Sequence, residues 1–192
     1  MGKIVISQNV TLDGVVEDPT GEQGFKHGGW WVQVGSNDRE GFYGAALDEV
    51  LRAEALLLGR RSYQYFAARR PSRTGGLADR MNSIPKYVVS STLEAADWNN
   101  STVVTGDAMQ EVSNLKERLD GEIVVPGSLQ LVRALLGNGL ADELRLLVYP
   151  YALGAGERLF GEMTDKLPLR LVANRTVGDG LPYLTYQVDR AA

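Results

Sequence analysis

The chain contains no cysteine. That excludes disulfides, a thiolate nucleophile, and any zinc or iron–sulfur site built on cysteine. It has a single histidine, His27, so one chain cannot assemble a His-rich metal site or a two-histidine metalloprotease helix. No metal is expected. Long apolar runs are missing too, and nothing approaches the ~20 residues of a membrane span. At the start, Ile4-Val5-Ile6 is too short for a signal-peptide core. Ile6 also stands where a myristoylation pattern wants Ser or Thr. These absences predict a soluble, cytoplasmic protein with no membrane partner. Positive charge is not in excess either. Lys+Arg number 20 against 24 Asp+Glu, a formal charge of −4, which argues against a nucleic-acid partner. Repeats, low-complexity tracts and charge blocks are absent.

Glycine is abundant. The 22 glycines in 192 residues are about 11% of the chain against a usual ~7%, which implies many tight turns or close backbone approaches around a ligand. The length suits a single domain over residues 1–192, able to bury roughly 70% of its unfolded surface without covalent staples.

Short apolar runs alternate with amphipathic segments. Lys3 to Gln8 reads as a buried strand, and 17–40, rich in glycine and polar residues, as a long functional loop. From Gly41 the spacing of Tyr43, Ala46, Leu47, Val50 and Leu51 predicts one apolar helical face. Ala55 to Leu58 is a predicted strand ending at Gly59, followed at once by a helix through Tyr63, Phe66 and Ala67. Residues 70–76 read as a loop, 86–90 and 102–105 as strands. Asp107 is the expected N-cap of a helix through Val112 and Leu115. Glu122 to Val125 predicts a strand, Leu129 to Leu136 a helix, Leu144 to Tyr149 a strand, and Arg170 to Val188 a hairpin around Gly178-Asp179-Gly180. The fold class expected is α/β, with a mixed, mostly parallel sheet, helices on both faces and a C-terminal antiparallel hairpin.

Three junctions could carry chemistry. Gly59-Arg60-Arg61-Ser62 follows a strand and opens a helix, where unpaired N–H groups and a partial positive charge favour phosphate. A glycine turn with two solvated arginines reads equally well. Ser90-Ser91-Thr92 ends a strand with three hydroxyls, which also suits an ordinary turn. Gly127-Ser128-Leu129 repeats the strand, glycine, helix pattern. Three such junctions exceed what one anion needs and fit an elongated ligand with several phosphates. No Rossmann fingerprint or Walker A pattern is present. Trp30 and Trp31 are candidates for stacking on a heterocycle or for anchoring the loop.

In order and spacing these segments resemble the dihydrofolate-reductase-like fold, and more closely the C-terminal reductase domain of bifunctional riboflavin-biosynthesis deaminase–reductases and its stand-alone relatives. The resemblance also uses Thr11-Leu12-Asp13-Gly14, Gly139 to Leu144 and Tyr149 to Phe160. It implies an NADPH site in which Gly59, Arg60, Arg61 and Ser62 hold phosphates. Ser90, Ser91 and Thr92 would flank the adenosine ribose and its 2′-phosphate. Gly127, Ser128 and Leu129 would cradle the pyrophosphate, with Pro126 departing from the usual glycine pair. Asn9, Val10, Asp13 and Gly14 would border the nicotinamide and the substrate. Asp13 is the candidate for proton handling, or a turn carboxylate bonded to its own backbone. The deaminase half's zinc motif cannot be built here.

The implied activity is NADPH-dependent hydride transfer to a small heterocycle of the 5-amino-6-(5-phosphoribosylamino)uracil type. A pterin or dihydrofolate reductase, or a non-catalytic NADPH-binding module, are the alternatives. The carboxylate with which folate reductases bind the pterin has no clear counterpart among Asp38, Glu40 and Asp48. A homodimer through the C-terminal hairpin is expected, because a sheet edge needs protection.

Overall fold

The computed structural model describes residues 1–161 and 166–189. Its strands are β1 (Lys3–Thr11), β2 (Ala53–Gly59), β3 (Lys86–Val89), β4 (Ser101–Val104), β5 (Glu122–Pro126), β6 (Glu143–Tyr149), β7 (Leu169–Val177) and β8 (Leu181–Val188). The helices are α1 (Ser36–Arg52), α2 (Arg60–Ala67), α3 (Gly76–Ser83), α4 (Ala108–Arg118) and α5 (Leu129–Gly137). The strands run in the order β4-β3-β2-β5-β1-β6-β8-β7. The sheet is mixed and mostly parallel, and it closes with the expected antiparallel hairpin. The chain divides into two compact units, residues 1–6 with 46–142 and residues 7–45 with 143–192, so β1 contributes to both.

In the first unit β2 pairs in parallel with β3 (Leu56 opposite Lys86) and with β5 (Leu56 opposite Val124), and β3 pairs in parallel with β4. Parallel strands covered on both faces read as continuous apolar runs, and Ala55 to Leu58 and Ile123 to Val125 are fully buried. On one face Leu56, Leu58 and Val124 pack with Val5, Tyr63, Met81, Ile84 and Trp98. One buried cation sits in this core. Lys86 Nζ donates to the carbonyls of Met81 (2.8 Å), Ile84 (2.7 Å) and Asn82 (3.3 Å) and lies 4.5 Å from the Trp98 ring centroid. It thereby satisfies carbonyls at the end of α3 that the helix leaves free. Burial brings its pKa down to about 8. Trp98 is fixed in turn by N–H donation to Tyr63 Oη and by its indole donation to Asn82 Oδ1.

In the second unit β8 pairs antiparallel with both β6 and β7. Its core gathers Trp30, Val34, Ala45, Leu147, Tyr149, Val177 and Tyr183. The long loop before α1 is held by one buried carboxylate. Asp18 accepts the N–H groups of Gln23 and Phe25 on its two oxygens, and its carbonyl accepts those of Gly21 and Gly29. Trp30 donates its indole N–H to Glu17 O.

Two elements differ from the sequence reading. Helix α1 begins at Ser36, five residues before Gly41, and the segment after the predicted 70–76 loop forms α3. In both cases tertiary bonds supply what periodicity does not show. Asp38 Oδ1 accepts Asp179 N–H and Asn37 donates to the Asp179 carboxylate, tying the first turn of α1 to the β7–β8 hairpin. Arg80 of α3 donates to the carbonyls of Val50 and Ala53.

Candidate functional site

The first unit brings together the strand-to-helix junctions of β2–α2 and β5–α5. Ser128 Oγ accepts the Gly59 N–H at 2.9 Å. A Cβ placed on Gly127 would stand 3.3 Å from Ser62 Oγ. Gly59, Ser62, Gly127 and Ser128 therefore form one constellation, with Leu129 starting α5 behind them. The backbone there is left-handed at two successive residues, Gly127 (φ 72) and Ser128 (φ 67). A non-glycine residue in that region stores strain, a condition that concentrates at functional positions.

The helix starts separate into two groups. Helices α1, α3 and α4 each carry an acid in the first turn, Asp38, Asp79 and Glu111. Helix α4 is also capped by Asp107, whose carboxylate accepts from Met109 and Gln110 N–H as expected. Helices α2 and α5 have neither an acid in the first turn nor a side-chain cap. Ser128, the N-cap of α5, turns its hydroxyl to Gly59 instead of to its own helix. Two adjoining helix N-termini thus keep their N–H groups and partial positive charge available for an external anion. The surrounding sequence is basic. Between Ala55 and Ala78 lie Arg60, Arg61, Arg69, Arg70 and Arg73 with no Asp or Glu. Of these, Arg60 and Arg61 open α2, and the other three follow its C-terminal end.

On the rim Arg60 Nη1 donates to Thr92 Oγ1 at 2.8 Å, joining the first junction to the loop after β3. Ser90 is the organiser of that loop, because its hydroxyl accepts Thr92 N–H and Leu93 N–H. Arg61 and Ser91 are exposed.

The second unit holds the residues at the end of β1. Val10 is buried, and Gly14 adopts φ 82 in the turn that follows. Asp13 is fully engaged. Thr11 Oγ1 donates to it at 2.7 Å, Gly154 N–H at 2.9 Å and Leu153 N–H at 3.2 Å, and Arg158 stands 3.6 Å away. Foremost through the Thr11 and Gly154 bonds, the carboxyl is held down at about 2. A carboxyl so acidic is ionised at neutral pH and has no proton to donate. Its geometry is that of a clasp between the turn after β1 and the 153–158 segment.

A pH dependence follows. The folded value lies below the ~3.9 of an unfolded aspartate. The clasp therefore contributes stability above about pH 4 and loses it as pH falls through about 2. The Asp13 carboxyl followed by NMR should titrate near 2, and a midpoint at 4 or above would contradict the clasp.

Of the candidate pterin-binding carboxylates, Asp38 is committed to the hairpin turn, while Glu40 and Asp48 are exposed. Trp30 is a core anchor, 1% exposed with its indole N–H satisfied. Trp31 stays half-buried among Phe42 and Tyr43. His27 meets only the edge of Phe25 among the ring contacts. Among the described residues no helix is long and apolar enough to cross a membrane.

Comparison with known proteins identifies the family and the fold. Residues 2–183 match the RibD C-terminal domain family. YyaP of Bacillus subtilis (strain 168), a protein without an assigned function, is 29% identical over 189 residues, covering 96% of this chain and 94% of its own. A protein of Shewanella sp. PV-4 named for riboflavin biosynthesis superposes with a TM-score of 0.71 at 20% identity, over 98% of this chain and 99% of that one. Dihydrofolate reductase of Enterococcus faecalis, solved with NADP(H), gives 0.62 at 15% identity over 98% and 97% of the two chains. At such identities the two structures establish the fold, which is dihydrofolate-reductase-like as the sequence suggested. With its match running over nearly its whole length, the chain belongs to the RibD C-terminal domain family.

Proposed function

We propose that this protein is a cytoplasmic NADPH-dependent reductase that delivers hydride to a small heterocycle of the 5-amino-6-(5-phosphoribosylamino)uracil type. The observation that carries the reading is the pair of adjoining helix starts, α2 and α5, left without acid or side-chain cap and tied by Ser128 to Gly59. They fit a pyrophosphate. Arg60, held beside Thr92, is our candidate for the additional phosphate that separates NADPH from NADH. Family membership and the NADP(H)-bound fold relative support the same cofactor class. When bound, the nicotinamide supplies the hydride, and the protein orients it and excludes water. Gly127 leaves the backbone open to the phosphates, Ser62 adds a hydroxyl beside them, and Asp13 fixes the turn that carries Gly14.

One observation favours a second reading, a module that binds NADPH without turnover. Asp13, the candidate for proton handling, is bonded on both oxygens. A single assay separates the two. Purified protein with NADPH and a panel of aminopyrimidine and dihydropterin substrates is followed at the nicotinamide absorbance. Oxidation with the aminopyrimidine supports the reductase as stated, oxidation with the dihydropterin alone shifts the substrate class, and binding without oxidation supports the module.

The same reading includes a homodimer. The outer strand β7 is exposed at every residue from Arg170 to Thr176. A long uncovered edge of this kind invites strand pairing. A second copy is a suitable partner by charge. Antiparallel pairing centred on Ala173 sets Arg170 against Thr176 and Arg175 against Leu171, with no like charges opposed. Sedimentation at micromolar concentration should give about twice the 20.9 kDa chain mass, and a value at the chain mass would reject the dimer.

A further inference from the structure

The aromatic cluster of the second unit contains a polar pair that cofactor binding does not use. Tyr149, the last residue of β6, has no exposed surface. Its hydroxyl and the indole nitrogen of Trp31 are both shut off from solvent, and neither makes a well-formed hydrogen bond. The Trp31 N–H faces the phenol oxygen, and an indole nitrogen only donates. The hydroxyl hydrogen of Tyr149 is therefore left without an acceptor. Burial, with Asp38 and Tyr43 acting in the same direction, holds that proton on far above the ordinary phenol range. The group is a neutral, permanent donor.

Buried donors are nearly always satisfied in folded proteins, and an exception asks for an explanation. The neighbours of Tyr149 are rings. Trp30 meets it edge-on at 5.1 Å, and Trp31 meets Phe42 and Tyr43 edge-on at 5.3 and 6.0 Å. The two tryptophans differ in how they are held. Trp30 is pinned through its N–H to Glu17, whereas the Trp31 indole has no such bond, is half-buried, and adjoins Tyr43, which is 40% exposed. Of the two tryptophans, Trp31 is the one whose indole has no carbonyl to hold it.

We propose that Trp31 and Tyr149 form a ring-reading site for a planar heterocycle bearing a carbonyl oxygen, with Trp31 moving off the phenol to stack on the ring while the Tyr149 hydroxyl donates to the carbonyl. The class of ligand rests on the reductase reading above; the orphaned donor and the loose indole do not. The site gives the second tryptophan of the His27-Gly28-Gly29-Trp30-Trp31 segment the stacking role that the first, locked in the core, does not have.

Calorimetric titration with diaminouracil, with and without saturating NADPH, tests it on the full chain. Tyr149→Phe removes only the hydroxyl and keeps the buried ring, so the variant should fold. It should bind diaminouracil roughly three- to tenfold more weakly, the value of one hydrogen bond. Trp31→Ala should weaken binding by about tenfold or more through lost stacking. NADPH affinity should not change in either variant. A purely structural tyrosine would move the melting temperature and leave the ligand affinity alone, and that result overturns the proposal. So does a wild type that binds NADPH but not diaminouracil, which would leave the cofactor reading standing. Tyr149-dependent binding of diaminouracil by a protein that does not bind NADPH would support the ring site and reject the cofactor reading.

Discussion

Arg60→Ala is expected to weaken NADPH binding by roughly 10- to 150-fold while leaving NADH nearly unchanged. The two cofactors differ by one phosphate on the adenosine ribose, so discrimination must come from donors that meet that group. Arg60 opens α2, is exposed, and is held by its bond to Thr92 Oγ1. A guanidinium already fixed in one orientation gives up less side-chain entropy when an anion arrives. The charge-assisted contact contributes on the order of 1.5–3 kcal/mol, and about 1.4 kcal/mol corresponds to tenfold. Because the group is exposed, the contact should also fade as salt is added. Titration of both cofactors against wild type and variant measures the effect. Equal losses for NADH and NADPH would move Arg60 to the pyrophosphate or to the fold itself, and Thr92→Val would then be expected to matter little.

What was readable in the sequence, and what was not, follows from how local the causes are. Asp107 was readable as an N-cap because a cap and the N–H groups that it satisfies lie within three residues. The start of α2 directly after Gly59 was readable for the same reason. Periodicity starts α1 only at Gly41 because Ser36, Asn37 and Asp38 show no apolar face, and their reason for being helical lies about 140 residues away at Asp179. Helix α3 leaves no periodic signal because it buries only Ala78 and Met81 and depends on Arg80 reaching the carbonyls of Val50 and Ala53. Asp13 shows the limit for site residues. Its turn and the neighbouring Thr11 are local, but the Leu153 and Gly154 N–H groups that complete the clasp are 140 and 141 residues distant. The convergence of Gly59 with Ser128 spans 69 residues and came from family resemblance, not from any local pattern.

Gly127→Val should abolish the distinction that Arg60→Ala exposes, by removing NADH and NADPH binding together. Gly127 sits at φ 72, directly before the left-handed Ser128 and between the two uncapped helix starts. A β-branched residue there is a genuine conformational outlier, at a cost of about 1–2 kcal/mol. Its Cβ would stand 3.3 Å from Ser62 Oγ, and the two methyl groups beyond it would occupy the space that a phosphate needs. Either the backbone leaves the left-handed region and turns its N–H groups away, or the methyls block the anion. In both cases at least one charge-assisted contact of about 1.5–3 kcal/mol is lost on top of the strain. That contact alone corresponds to roughly 10- to 150-fold in affinity for either cofactor, while the strain is carried by the free and the bound protein alike. The fold should survive, because Gly127 is only half-buried and the adjoining core of Ile123 to Val125 is untouched. Strain of 1–2 kcal/mol lowers the melting temperature of a chain this size by only about 2–8 °C. A folded Gly127→Val protein that still bound NADH at wild-type affinity would show that the pyrophosphate lies elsewhere, and the assignment of Gly59, Ser62 and Ser128 would fall with it.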